Sequence, residues 1–291
     1  MWQTDKGPDM NPMTRHAERT AVTDEILAEL PGQLEGFLAN ASERPTSTYY
    51  IAKYARMQIA HRLLVDPDGA ERATYDSVLL AAQAGTGFFA AANKEGRFPW
   101  TLGDDDLLLK AVGPTRIHSA ADWLDALWTA VICRAQHLVV ELCATPTDTL
   151  RNAGGRFDEY MYAWVDALKA FFTRDEDLYP RINRSIELTA PEELTGGTPP
   201  DIVLHRYYPS MNLLFDVAGR NAEQFNTDLR EAVELHQSFW SADEERATDP
   251  DGFWAPGPTA LAALAHDFGM PVEVRSPYLP QDLINGTRIS P

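Results

Sequence analysis

Two stretches of this chain repeat apolar residues with the period of an α-helix over several turns, and a fold made mainly of strands has no place for them. The first carries Leu124, Leu127, Trp128, Val131, Ile132, Leu138, Val139 and Leu142, with Ala135 filling the gap. The second carries Phe157, Tyr160, Met161, Trp164, Val165, Leu168, Phe171 and Phe172. Each set falls on one face of a helix, and each face must be buried against another element. Both read as continuous helices, with Trp128, Trp164 and Trp240 expected in the core.

The rest of the chain reads the same way. A helix from Thr23 carries Ile26, Leu27, Leu30, Leu34, Phe37 and Leu38, with Pro31 as its expected break. Others are expected over 47–65 and 70–93. Ser119 and Asp122 have the spacing of a capping box, and Asn221 with Gln224 marks another helix start. A helix from about Asp201 should kink or end at Pro209, and the last runs over 258–268 to a stop at Gly269. Residues 96–115 break the pattern: Gly96, Pro99, Gly103, Gly113 and Pro114 punctuate short apolar runs, as in a small irregular segment or hairpin. The expectation is a single all-α domain of antiparallel packed helices over 19–283. A loose polar leader at 1–18 and a tail at 284–291 flank it.

Composition narrows the function. The chain of 291 residues has 43 acidic residues against 25 Lys and Arg, a net charge of -18. Such a surface repels nucleic acid and anionic membrane and favours encounter with a basic partner. No secretory signal and no run of about 18 apolar residues is present, so a cytoplasmic protein without a membrane span is expected. The two cysteines, Cys133 and Cys143, read as lying about 15 Å apart on one helix, too far for a disulfide.

The motifs of common chemistry are missing. His16, His61, His118, His137, His205, His236 and His266 include no pair within one helical turn, so neither a metal nor another cofactor is expected. Gly85-Thr86-Gly87 with Ala90 fits the spacing of a dinucleotide loop. The stretch before it reads as helix, however, and close packing of small residues explains it better. No Gly-x-Ser-x-Gly elbow occurs. Cys133 reads as a packed thiol.

Two polar features stand out. His236 lies on the apolar face of its helix beside Val233, Phe239 and Trp240, as a core histidine with both nitrogens bonded or as a pocket base. The run Asp158, Glu159, Tyr160, Tyr162, Trp164 and Asp166 combines aromatics with carboxylates, either lining a cavity or forming a core stripe with solvated acids.

At these segments the chain resembles the immunity protein 49 family of bacterial polymorphic toxin systems. The resemblance rests on Gly113-Pro114-Thr115-Arg116, the run from Trp123 to Arg134, and the run from Phe157 to Leu168. It continues through Tyr208-Pro209-Ser210-Met211-Asn212-Leu213, Asp228 to Trp240, and Asp249 to Pro280, and covers roughly residues 20–283. It implies a helical protein that neutralises a toxin by binding it, with no catalytic residue to carry over. Arg134, Asp166, Asn212 and Trp240 would then hold the fold. Acidic clusters at Asp104-Asp105-Asp106, Asp175-Glu176-Asp177 and Asp243-Glu244-Glu245 would meet a basic toxin.

The alternative is a small-molecule enzyme or binding protein on the same fold. Its pocket would use His236, Asp158, Glu159, Tyr160, Tyr162, Trp164, Asp166, Arg134, His266 and Asp267. A deep pocket around His236, Tyr160 and Trp164 would favour that alternative, and a flat acidic face over a filled core would favour inhibition.

Overall fold

The computed structural model describes residues 13–154 and 157–287. Residues 1–12 of the expected leader and 288–291 of the tail lie outside them.

Three long helices come first: α1 (Ala21–Leu38), α2 (Thr46–Val65) and α3 (Arg72–Asn93). Thr20 caps α1 by accepting from the Thr23 amide. Pro31 was expected to break α1, but the helix runs through it. Pro31 is exposed, so water can serve the backbone carbonyl that loses its partner there. The three helices pack in sequence, α1 on α2 and α2 on α3. A hairpin follows, β1 (Arg97–Leu102) and β2 (Asp105–Lys110), paired antiparallel with Phe98 opposite Leu109 and Leu102 opposite Asp105. Phe98, Leu102 and Leu109 are buried in a small core with Leu34 and Ile51.

Next come α4 (Ala120–Ile132), α5 (Gln136–Cys143), α6 (Thr147–Arg151), α7 (Glu159–Thr173) and α8 (Leu178–Glu187). Ser119 caps α4 through the Asp122 amide, at 3.2 Å. The stripe expected as one helix from Leu124 to Leu142 is two helices. Arg134 adopts a left-handed conformation, φ 55°. The amide of Ala135 bonds the carbonyl of Ala130, and that of Arg134 bonds Val131, closing a Schellman turn. Arg174 and Arg220, the other left-handed non-glycine residues described, end their helices in the same way. Cys133 and Cys143 therefore do not share a helix; both are free thiols.

The chain then passes through α9 (Pro200–Ile202) and a π-helical turn (Val203–Tyr207) into α10 (Tyr208–Gly219). Pro209 was expected to kink or end a helix here. It sits in the first turn of α10, and the strain is taken up upstream by the wide turn, where the Tyr208 amide reaches the carbonyl of Val203. Last come α11 (Ala222–Trp240), α12 (Glu244–Thr248), α13 (Pro256–Asp267) and α14 (Gln281–Asn285). Asn221 caps α11 through the Gln224 amide, but the Gln224 side chain turns to Asp228, so the box is not reciprocal.

The architecture is all-α apart from the hairpin. α4 and α7 lie at its centre: Trp123, Leu127, Trp164, Val165 and Leu168 are fully buried, and Trp128 and Trp240 nearly so. α3, α5 and α13 pack on α4, and α13 also packs on α10 and α14. Of the leader, Arg15 donates to the carbonyls of Leu63 and Pro277, and the His16 amide donates to the Tyr278 hydroxyl at 2.9 Å.

Candidate functional site

Three local features leave an opening beside the central helices. The π-helical turn carries His205, Arg206 and Tyr207 toward α4 and α11. α13 begins Pro256-Gly257-Pro258, with Ala255 at its cap position and no side chain capping it. The 3-10 turn Pro250–Gly252 brings Asp251 to the rim. Between them lies a cavity of about 190 Å³, walled by Trp128 of α4, Trp164 of α7, and His236 and Trp240 of α11.

His236 is a buried, neutral group. Its Nε2 meets the carbonyl of Gly252 at 2.9 Å, so Nε2 carries the proton and Nδ1 keeps its lone pair. Burial holds its pKa down at about 3, with the Gly252 bond pulling the other way. Sequence left open a core histidine with two bonded nitrogens or a pocket base. The structure shows one bonded nitrogen, in the cavity wall. His205 similarly places Nδ1 against its own-helix carbonyl at Asp201, 2.7 Å away. Asp125 lines the cavity and pairs with Arg56 at 3.0 Å. Burial pushes its carboxyl up to about 6 despite that guanidinium.

Arg206 is placed differently. Its guanidinium stacks over Trp240, 4.9 Å from the ring centre, and has no hydrogen bond or ion pair among the described residues.

Of the ten residues expected around a pocket, the cavity gathers two, His236 and Trp164. Tyr160 and Tyr162 are core residues. Asp158 accepts from the Thr195 hydroxyl at 2.6 Å and from the amides of Thr195 and Thr198, so it anchors the loop before α9. Burial opposes its ionisation, but these donors prevail and hold its pKa below the usual value. Glu159 pairs with Arg151, whose guanidinium also covers the Tyr162 ring at 4.3 Å. Asp166 accepts from the Thr147 hydroxyl.

Arg134 is a staple. It holds both oxygens of Asp267 at 3.0 Å and donates to the carbonyls of Ile132, Leu283 and Ile284. His266 is exposed beside Asp267.

Sequence reasoning missed Asp125, His205, Arg206, Ser210 and Gly257. The available signals were Pro209, which forces the wide turn, and Pro256-Gly257-Pro258, a helix start lacking a capping side chain.

The acidic clusters are all exposed: Asp104 lies in the hairpin turn with Asp105 and Asp106 opening β2, and the other two lie at turns or helix ends. Asp175 is partly matched by Arg181 at 3.4 Å, and Asp243 caps α12 and meets Arg246 at 3.3 Å. Asp104 and Asp105 form the turn end of the hairpin and have no ion pair among the described residues. Gly85 and Gly87 are buried inside α3. A Cβ on Gly85 would meet Ala126 at 2.8 Å and one on Gly87 the Trp100 indole at 2.6 Å, so both serve close packing rather than a phosphate turn.

The fold and cavity define an all-α protein with a polar-floored aromatic pocket and exposed acidic turns. Residues 66–283 match the immunity protein 49 family, and the chain belongs to it. No curated protein and no solved structure matches it.

Proposed function

We propose that the chain binds and neutralises a cognate bacterial toxin with a basic surface, in the cytoplasm of the cell that makes the toxin. Family membership over residues 66–283 carries this reading. The net charge of -18 and the exposed acidic turns support it, because opposite charge speeds encounter. The hairpin cluster Asp104, Asp105 and Asp106 is the leading contact. Asp175 and Asp243 are partly occupied within the protein.

The test is co-purification with the product of the neighbouring gene, followed by association kinetics at low and high salt. The expected outcome is a complex whose on-rate falls steeply with salt. Replacing all three hairpin aspartates by asparagine should slow association about tenfold and change dissociation less. A salt-insensitive on-rate would remove the electrostatic part, and no complex at all would remove the reading.

A further inference from the structure

The cavity floor collects hydrogen-bond donors that have no partner among the described residues. α13 is a twelve-residue helix whose positive end opens there. Pro256 and Pro258 have no N–H, and the Gly257 amide has no partner among the described residues. A Cβ built on Gly257 would lie 2.9 Å from Ser210 Oγ and 3.6 Å from Trp128 Nε1, so both atoms stand over this glycine. Trp128 is 6% exposed and Ser210 3%, and neither polar atom has a partner among the described residues. Both atoms open into the cavity rather than being sealed in the core, so three converging donors stand ready for an acceptor there, and the buried Nε1 atoms of Trp164 and Trp240 also lack a partner among the described residues.

Charge selects the kind of acceptor. Arg206 is the one cation on the wall without an ion pair among the described residues, whereas the Asp125 carboxylate is already matched by Arg56. Asp251 stands exposed at the rim. A cation entering would find Asp125 occupied by Arg56, while a single negative charge would find the helix end, three donors and the Arg206 guanidinium, opposed by Asp251 at the exposed rim. A doubly charged phosphate would exceed that one free guanidinium and face Asp251. The walls of Trp128, Trp164 and Trp240 favour an apolar body.

We infer that this cavity binds a small organic carboxylate. The carboxylate sits over the Gly257 amide, Trp128 Nε1 and Ser210 Oγ, with Arg206 as its counter-charge and the apolar part against the indoles. This activity is separate from toxin recognition, and each can fail without the other.

The experiment titrates the full chain with benzoate, benzamide, benzylamine and inorganic phosphate, followed by tryptophan fluorescence and calorimetry. Benzoate should bind saturably at one equivalent. The other three probes should bind at least about tenfold more weakly. Arg206→Gln and Ser210→Ala should each weaken benzoate about three- to tenfold while leaving the melting temperature and far-UV spectrum unchanged. Gly257→Ala should abolish binding by filling the cradle; if that variant does not fold, the other two still decide. The inference is overturned by any of three results. These are no saturable benzoate binding up to roughly 10 mM, benzylamine, benzamide or phosphate binding as well as benzoate, or unchanged affinity in both folded variants.

Discussion

Arg134 and Arg206 are both half-buried arginines, and they are used in opposite ways. Arg134 spends all five N–H donors inside the protein, two on Asp267 and three on backbone carbonyls. It thereby ties the end of α4 to α13 and α14, and its own backbone bears left-handed strain to do so. Arg206 spends none on an acceptor among the described residues and rests on Trp240. A guanidinium with every donor matched holds structure together; one left unmatched beside a cavity is available to a ligand. The same residue type thus serves architecture in one place and recognition in the other.

The widest separation should come from Arg134→Met. Three carbonyls and Asp267 lose their donor, and the left-handed backbone loses what holds it. Stability should fall by about 3 kcal/mol in urea unfolding. A variant within about 0.5 kcal/mol of the parent would erase the contrast.

Gly252→Ala probes whether the cavity wall is as firm as the staple. Its Cβ would land 2.6 Å from the Trp240 ring, so the indole or the turn must move. A loss of about 2 kcal/mol in the same measurement marks a built wall; no loss marks a slack one.

His236 adds a pH signature confined to the cavity side. Its folded pKa is about 3 against an ordinary 6.5, so between these values the unfolded chain takes up a proton that the folded chain refuses. Stability is therefore present above pH 6.5 and drains as pH falls, by about 1.4 kcal/mol per pH unit well inside the window. Asp125 works oppositely: its pKa is raised to about 6, and acid below that relieves its burial. The informative quantity is the parent's stability minus that of His236→Gln, followed by thermal melts from pH 7 to 4 (roughly the range where the histidine acts). That difference should shrink on acidification, and a flat difference would mean that His236 is protonated in the fold.

Arg206→Met should have the smallest effect of the four. Losing a partly exposed contact with an aromatic face costs under about 1 kcal/mol. A larger loss would show that Arg206 is structural after all.

These two regions were unequally legible. The Leu124–Leu142 and Phe157–Phe172 stripes declared buried helices, and the glycines and prolines of 96–115 declared the hairpin, because period and turn chemistry are local. The break at Arg134 was hidden, since left-handed helix ends are ordinarily written with glycine, and here arginine takes the position. The passage of α1 through Pro31 was hidden because it depends on which side faces water. The cavity was hidden for a deeper reason: its wall and floor come from α4, α7, the π-helical turn, α10, α11 and the start of α13. No single stretch of sequence contains it, and of the expected pocket residues only His236 and Trp164 reach it.

The hairpin has a consequence for life at high concentration. Two paired strands leave two outer edges, and an open edge is a template on which another chain can add a strand. Pro99 removes an amide from β1, while Asp105, Asp106 and Lys110 place charge along β2. Phe98 and Leu109 turn inward to the core, so the apolar side of the ribbon is also withheld. The acidic turn proposed to meet a basic partner therefore sits on a scaffold that discourages copies of the same chain from zipping together.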